Sequence, residues 1–223
     1  MKISVVIPAY NEEKYIGKCL QSVLDQKEKP DEIIVVDNNC TDSTVEIAKK
    51  FGARIVREKK QGMIFARNAG FNAAKYEIIA RTDADTILPN DWISRIKKAF
   101  ADIKLGALSG PTCSYKWSKT AKITRLPTLI LFDLLSFIFK NGCLYGPNMS
   151  LRKTVWEKVK SNVCLDDKKV HEDIDLSIHL NKLTKIKFDN KLIIRTMRTR
   201  WKQIGTEYGV RLMKMLYSHK YLR

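Results

Sequence analysis

Apolar residues form two short continuous runs near the start of the chain, and each run is followed by a stretch in which they recur at helical spacing. The runs are ISVVI at residues 3–7 and EIIVV at residues 32–36. β-Branched residues in continuous runs of this length are typical of strands buried on both faces of a parallel sheet. After the first run, apolar side chains between Tyr15 and Leu24 recur on one face of a predicted helix.

Polar residues predict where the first two helices begin and end. Asn11 is a candidate N-cap for the first helix, and Ser43 and Glu46 have the spacing of a capping box at the start of the second. Gly52 is placed to end the second helix.

The same alternation continues along the chain. Residues 53–57 predict a third strand, residues 63–75 an alanine-rich helix and residues 76–82 a fourth strand, and a further strand is predicted at residues 188–194. Repeated strand–helix units predict right-handed crossovers and a parallel sheet. We therefore expect an α/β, Rossmann-like fold whose central sheet is mostly parallel and flanked by helices.

Two later segments are strongly apolar or amphipathic. Residues 126–139 (LPTLILFDLLSFIF) are the most apolar stretch of the chain, but a bilayer-spanning helix takes about 20 apolar residues. A buried helix and a helix lying in the lipid headgroup region fit this segment equally well. Residues 203–223 predict an amphipathic helix with a basic opposite face.

The charge of the chain is unevenly distributed. The 223 residues are 44% hydrophobic and 29% charged, an ordinary globular composition, but the formal net charge is +17. Residues 182–223 contain twelve Lys or Arg and two acidic residues, a local excess of ten. Such an excess indicates either a solvated basic face or a polyanionic partner, such as a phospholipid surface, a lipid phosphate or a nucleic acid.

Cysteine usage and the N-terminus predict a protein that stays in the cytoplasm. The five cysteines include no CxxC pair and are odd in number, which is typical of free thiols in a reducing compartment. The apolar stretch of MKISVVIPAY is too short for a signal peptide. We expect a cytoplasmic location, with peripheral contact at the cytoplasmic face of an anionic membrane through the basic C-terminal segment.

Polar residues follow three of the predicted strands: PAYN at 8–11, DNN at 37–39 and DAD at 83–85. Open parallel sheets bind ligands outside the carboxyl ends of their strands, so these residues are expected to meet at one edge. Neither a GxGxxG nor a GxxxxGK[ST] loop follows the first strand, and a dinucleotide cofactor or a P-loop therefore lacks support. The paired acids would suit Mg²⁺ or Mn²⁺, although a DxD alone often marks only a turn or a helix cap.

Four motifs, in the same order, resemble those of the family 2 glycosyltransferases, which have the GT-A fold. They are VVIPAYNEEKYIGKCLQSV, EIIVVDNNCTDST, GMIFARNAG and RTDADT. The resemblance covers most of the chain and implies a GT-A domain over residues 1–202. Its nucleotide-sugar and metal-binding half would be residues 1–110 and its acceptor-binding half residues 111–202, followed by a basic helical C-terminal extension at residues 203–223.

The resemblance implies a site for a nucleotide-diphosphate sugar, with a UDP-sugar as the expected donor. Tyr10 would stack on the base, Asp37 would accept a hydrogen bond from it, and Asp83 would bind the ribose or share in holding the metal. Asp85 would coordinate a divalent cation, Mn²⁺ or Mg²⁺, that assists departure of the diphosphate. The implied donor-site residues are Pro8, Ala9, Tyr10, Glu12, Asp37, Arg67, Asp83, Ala84, Arg198 and Arg200, with Asp83 and Asp85 as metal ligands.

The resemblance also implies an acceptor side with a general base. HEDID at residues 171–175 resembles the family's acidic ED motif, so Asp173 would take the proton of the acceptor hydroxyl in an inverting transfer. GPN at residues 146–148 either turns towards the donor sugar or forms only a tight turn, and Glu172 either orients the acceptor or caps the helix. The implied acceptor-site residues are Asn148, Glu172 and Trp201.

The segment RTMRTRW at residues 195–201 resembles the QRxRW sequence of processive family members, with Met197 in place of the glutamine. Arg198 and Arg200 would grip the diphosphate, and Trp201 would stack on an acceptor ring. The departure at Met197 favours transfer of a single sugar, to a glycan or lipid-linked acceptor, over polymer synthesis.

Two other classes of protein fit part of the sequence. A sugar-1-phosphate nucleotidyltransferase would need a similar sheet and a metal, but it normally has a glycine-rich basic loop where this chain has PAYN. A non-catalytic nucleic-acid-binding protein is suggested only by the net charge, and it leaves the paired acids unexplained because carboxylates beside a phosphate groove repel the ligand. No nucleic-acid partner is therefore expected.

Overall fold

A computed structural model describes residues 1–114, 130, 134, 137–139, 141–166, 168–198, 212, 214 and 217. Arg200, Trp201 and most of the predicted segments 126–139 and 203–223 lie outside the described residues. None of the helices within the described part is long and apolar enough to cross a membrane.

Ten strands in the described residues form two sheets. The strands are β1 (Ile3–Ala9), β2 (Glu32–Asp37), β3 (Arg54–Arg57), β4 (Ile78–Thr82), β5 (Thr86–Ile87), β6 (Leu105–Ser109), β7 (Thr112–Ser114), β8 (Asn148–Arg152), β9 (Lys185–Phe188) and β10 (Ile194–Thr196). The central sheet has the order β3-β2-β1-β4-β8-β6-β9, and a smaller sheet has the order β5-β10-β7. In the central sheet only β8 runs antiparallel to its neighbours. The predicted mostly parallel sheet is confirmed.

Helices cover both faces of the central sheet. They are α1 (Ile16–Leu24), α2 (Thr44–Lys50), α3 (Met63–Ala73), α4 (Trp92–Phe100), α5 (Lys153–Val159) and α6 (Glu172–Asn181). Side chains alternate between faces along a strand, so Val5 of β1 belongs to an apolar cluster with residues of α1, α2 and α4, whereas Val6 belongs to a second cluster with residues of α3, α5 and α6. The strands are therefore buried on both sides, which explains their continuous apolar runs.

The predicted helix starts are partly wrong. α1 begins at Ile16, because Asn11 has a positive φ of 53° and its Oδ1 accepts the N–H of Thr41 at 2.8 Å instead of capping the helix. Within the continuously described residues 1–114, Ser43 makes no capping hydrogen bond, and the Oδ1 of Asp42 accepts the N–H of Thr44 at 3.0 Å. The predicted end of α2 is confirmed, since Gly52 follows it with a φ of 74°.

The single strand predicted at residues 188–194 is also wrong. A turn separates β9 from β10, in which the N–H of Leu192 donates to the carbonyl oxygen of Asp189 at 3.0 Å. β10 leaves the central sheet and pairs antiparallel with β5 and parallel with β7. This pairing brings residues 197–198 back to the DAD loop, whose Asp85 carbonyl accepts the N–H of Met197 at 2.7 Å.

Candidate active site

A pocket of about 270 Å³ lies where β1, β2 and β4 end. The predicted donor-site residues that line it are Pro8, Ala9, Tyr10, Glu12, Asp83, Ala84, Asp85 and Arg198. The motifs after the three strands therefore meet at one edge, as open parallel sheets require. Asn38, from the DNN segment expected at this edge, also lines the pocket. Lining residues that the sequence reasoning missed are Gln61, Gly62, Met63 and Ala66, and all but Gln61 lie within the GMIFARNAG motif.

One wall of the pocket is held by the side chain of Asn38. This buried amide donates to the carbonyl oxygens of Glu58 and Lys60, at 3.1 and 2.8 Å, and accepts the N–H of Gly62 at 2.9 Å. The loop that carries Gln61 and Gly62 is therefore fixed against the end of β2. Asp37 lies beside it, where its Oδ1 accepts the N–H of Cys40 at 2.8 Å.

The two acids of the DAD motif also line the pocket. A tight turn holds them, in which the N–H of Thr86 donates to the carbonyl oxygen of Asp83 at 3.1 Å. The carboxylate of Asp83 accepts a hydrogen bond from Arg81 Nη2 at 3.1 Å, and Asp85 Oδ2 lies 3.9 Å from Arg198 Nε. Arg81 was not among the predicted site residues.

The two acids suit a metal ion whose coordination shell is completed by a substrate. They do not suit a metal ion whose ligands all come from the protein. Among the described residues, no group of three or more His, Cys, Asp or Glu side chains could hold a metal ion. Mg²⁺ is usually bound by one or two carboxylates, with waters and substrate phosphates completing the shell. Asp83 and Asp85 line the pocket and supply such a pair.

Arg198 is the cation beside these acids. Its Nη2 donates to Glu12 Oε2 at 2.5 Å, and its guanidinium carbon lies 5.0 Å from the centroid of the Tyr15 ring. The backbone bond from Met197 to Asp85 places Arg198 here, and it does not involve the Met197 side chain. The predicted neighbours Arg200 and Trp201 lie outside the described residues.

Asp173 lies in the first turn of α6 and has an unusual acidity. Its Oδ2 accepts the N–H of Gly146 at 3.0 Å and its Oδ1 accepts the N–H of Ile174 at 2.9 Å. Burial and the negative charge of Glu172 raise the pKa of Asp173 to about 6, against the opposing effects of the Gly146 N–H and Arg81. Raised carboxyl pKa values are typical of functional sites.

The remaining predicted residues make interior contacts. Both oxygens of Glu172 bind arginines, Arg67 and Arg81, which are buried. Asn148 is buried on β8, where it accepts a hydrogen bond from Trp92 Nε1 at 2.9 Å and donates to the carbonyl oxygen of Leu192 at 2.7 Å. The direct substrate contacts expected for Arg67, Glu172 and Asn148 therefore stay predictions, while their interior partners are defined.

Two solved structures with a similar fold are a mannosyltransferase and a glucosyl-3-phosphoglycerate synthase. The mannosyltransferase PcManGT from Pyrobaculum calidifontis, in complex with GDP-Man and Mn²⁺, has a TM-score of 0.72 at 20% identity, over 98% of this chain and 62% of that one. Glucosyl-3-phosphoglycerate synthase from Mycobacterium tuberculosis, in complex with Mn²⁺, UDP and glucosyl-3-phosphoglycerate, has a TM-score of 0.67 at 16% identity, over 98% and 80% of the two chains. At these identities the likeness shows the fold, and the predicted GT-A fold is confirmed.

The chain belongs to glycosyl transferase family 2, whose sequence pattern matches residues 4–159. Glycosyltransferase GlyA from Streptococcus pneumoniae serotype 4 is 35% identical over 114 residues, which are 47% of this chain and 16% of GlyA. The match therefore spans about a sixth of that relative's length. The family that the motifs predicted is therefore confirmed.

Proposed function

We propose that the protein transfers a single sugar, with inversion, from a nucleotide-diphosphate sugar to the hydroxyl of a glycan or lipid-linked acceptor. The arrangement of charge around the pocket is the observation that carries this proposal: Asp83 and Asp85 lie on its wall with Arg198 beside them. Two carboxylates next to a cation suit a diphosphate that binds together with a divalent metal. A UDP-sugar is the proposed donor, and a GDP-sugar is the alternative suggested by the GDP-Man complex of PcManGT.

Different residues would bind the base, the diphosphate and the metal of the donor complex. Tyr10, which is 52% exposed at the end of β1, would stack on the base, and Asp37 would accept a base N–H. Arg198 would bind the diphosphate by charge-assisted hydrogen bonds. Asp83 and Asp85 would hold Mn²⁺ or Mg²⁺, which when bound neutralises charge on the leaving diphosphate.

Asp173 is the proposed general base. An inverting transfer needs a carboxylate that takes the proton from the acceptor hydroxyl as its oxygen attacks the anomeric carbon. The pKa of Asp173, about 6, keeps the group ionised at neutral pH and makes it a stronger base than an ordinary aspartate. The hydrogen bond from Gly146 fixes the direction of its carboxyl group.

Calorimetric titration of UDP and of GDP, with Mn²⁺ and with EDTA, tests the donor site. Asp85→Ala and removal of the metal are each expected to weaken nucleotide binding at least about tenfold, because even outer-shell changes cost roughly 10- to 100-fold in metal affinity. Asp25→Ala, which removes an exposed acid just after α1, is the matched control and should bind like the wild type. If neither nucleotide binds under any condition, the proposed donor site is wrong.

We also propose that the protein works at an anionic membrane surface. Ile130, Leu134 and Phe137 are helical residues spaced at i, i+4 and i+7, and they are 60%, 54% and 82% exposed. Phe139 is buried in the cluster that also contains Ile174 of α6, which anchors this apolar row to the protein. An exposed apolar row on a chain of net charge +17 favours the interfacial alternative for residues 126–139.

Cosedimentation with vesicles tests the membrane contact. We expect binding to phosphatidylglycerol vesicles at low salt and little binding to phosphatidylcholine vesicles, because the cationic chain is attracted by anionic lipids. The double variant Leu134→Asp, Phe137→Asp should bind the vesicles at least about fivefold more weakly, since it removes two apolar side chains that would insert into the bilayer. Ile103→Asp, at an exposed apolar residue before β6, should bind like the wild type. Equal binding by all three proteins would contradict the proposed contact.

A further inference from the structure

Three charged side chains from three elements meet in the interior next to Asp173. Arg67 on α3 and Arg81 on β4 are 0% and 1% exposed. Arg67 Nη1 donates to Glu172 Oε2 at 2.6 Å, and Arg81 Nη1 donates to Glu172 Oε1. Burial acts to raise the pKa of Glu172, but the charges of the two arginines more than offset it and hold the pKa below its ordinary value. The group is therefore an ionised, paired network.

Among the described residues, Arg81, unlike Arg67, also donates a hydrogen bond to the DAD motif. Its Nη2 donates to Asp83 Oδ1 at 3.1 Å, so one guanidinium bridges Glu172 and the first acid of the DAD motif. The guanidinium of Arg67 also donates to the carbonyl oxygen of Glu172, at 2.6 Å, and to Asn68 Oδ1, at 2.9 and 3.0 Å. The two arginines share one carboxylate, but among their hydrogen bonds in the described structure only that of Arg81 reaches the DAD motif.

Gly146 packs the network against the proposed base. Its N–H donates to Asp173 Oδ2 at 3.0 Å. A Cβ at position 146 would lie 3.0 Å from Glu172 Oε1 and 3.4 Å from Arg81 Nη2, tighter than most contacts. The peptide of Gly146 therefore lies between Asp173 and the Arg81–Glu172 pair, and movement of the pair would move the base.

We propose that Arg81 and Glu172 are positioning residues, which fix Asp173 at the start of α6 relative to Asp83 and Asp85 after β4, with Arg67 anchoring the pair in the core. The inference rests on the proposed function, because it gives the pair its purpose. It assigns Glu172 to alignment of the base and not to contact with the acceptor, since both oxygens of its carboxylate are used by arginines. A buried charge network is costly to keep, and a site that needs fixed geometry gives a reason for keeping it.

Four variants test this: Glu172→Gln, Arg81→Met, their double combination and the control Arg152→Met. The measurements are kcat, the acceptor KM and metal-dependent nucleotide affinity. Glu172→Gln and Arg81→Met should each lower kcat at least about tenfold, with acceptor KM changed less than about threefold, because misplacement of a catalytic group costs mainly kcat. The double variant should be no slower than the slower single variant, since the two residues act as one unit.

Arg152→Met is the matched control for loss of a structural guanidinium, because Arg152 donates to the carbonyl oxygens of Leu105 and Phe100, at 2.9 and 2.8 Å, and does not line the pocket. It should lower the melting temperature yet leave nucleotide affinity within about twofold, whereas Arg81→Met should weaken that affinity, because Arg81 holds Asp83. If Arg81→Met fails to fold, the near-isosteric Glu172→Gln still decides the question through its kcat and acceptor KM.

Three results would overturn the inference. A raised acceptor KM with unchanged kcat in Glu172→Gln would make Glu172 an acceptor ligand. Losses in kcat that add in the double variant would mean separate roles, and equal loss of nucleotide affinity in Arg152→Met and Arg81→Met would mean that Arg81 acts only through general stability. Failure of the wild type to bind any nucleotide would instead remove the proposed function, so the two failures are distinguishable.

Discussion

Asp173→Asn is expected to lower kcat by roughly 10²- to 10⁴-fold, which is the usual contribution of a positioned general base. The amide has nearly the same shape as the carboxylate and can still accept the N–H of Gly146 or of Ile174, so the fold and the nucleotide affinity should be preserved. It cannot take the proton of an acceptor hydroxyl at neutral pH. Steady-state kinetics and calorimetry on the same preparation separate the two effects.

The control for this substitution is Glu157→Gln, which neutralises an exposed carboxylate on α5. It should leave kcat unchanged. The wild-type pH profile gives a second check, because the base works only as a carboxylate and its pKa is about 6. Activity should therefore rise with pH through about 6. One pH unit below that pKa it should be about tenfold lower than on the plateau at higher pH. A profile that is flat between pH 5 and pH 7 would contradict the assignment of Asp173.

Trp156→Ala is expected to reduce the free energy of unfolding by about 3–5 kcal/mol, the usual cost of truncating a large buried aromatic residue. The Trp156 side chain on α5 is fully buried. Its ring lies 5.2 Å from that of Phe71 in an edge-to-face arrangement, and its Nε1 donates to Asn72 Oδ1 at 2.9 Å. Alanine would leave a cavity between α3 and α5 and remove the hydrogen bond to Asn72.

Urea denaturation measures this loss, provided that the dependence on denaturant concentration has the same slope in both proteins. Ile103→Ala is the control, because Ile103 is 86% exposed and its truncation should change stability by less than about 0.5 kcal/mol. A loss below about 1 kcal/mol in Trp156→Ala would show that α5 does not pack on α3 as described. Since α3 also carries Arg67, the same variant should weaken the packing that holds the Arg67–Glu172–Arg81 network in place.

The strands that build the pocket were predictable because their burial on both faces leaves continuous apolar runs, as in β1 and β2. The small sheet was not, because β5 has two residues and β10 three, too few to show any periodicity. The strand predicted at residues 188–194 failed for a related reason. Of its apolar residues, only Phe188 and Ile194 lie on strands, whereas Leu192 and Ile193 lie in the connection between β9 and β10. The local hydrogen bonds of the turn at Asp189 outweigh strand propensity there.

Motif spacing located the pocket residues but not the partners of buried charges. Arg81 lies within an apolar strand, and Glu172, its partner, is 91 residues away in sequence. No local pattern shows such a pairing, because a buried charge is satisfied by whatever the tertiary fold brings near it. The nucleotide contact that the resemblance implies for Arg67 stays a prediction, and the hydrogen bonds of Arg67 to Glu172 and Asn68 were not foreseen from the sequence.

The place of β8 in the sheet bears on how the specificity of such a protein can be altered. β8 lies between β4 and β6 and is hydrogen-bonded to both, and in the described sheet β6 pairs only with β8 and β9. The predicted halves, 1–110 and 111–202, are therefore interleaved and are not consecutive modules. A chimera that exchanges the second half would also replace a strand inside the sheet that supports the first. New acceptor preferences are consequently better sought by grafting loops than by recombining halves.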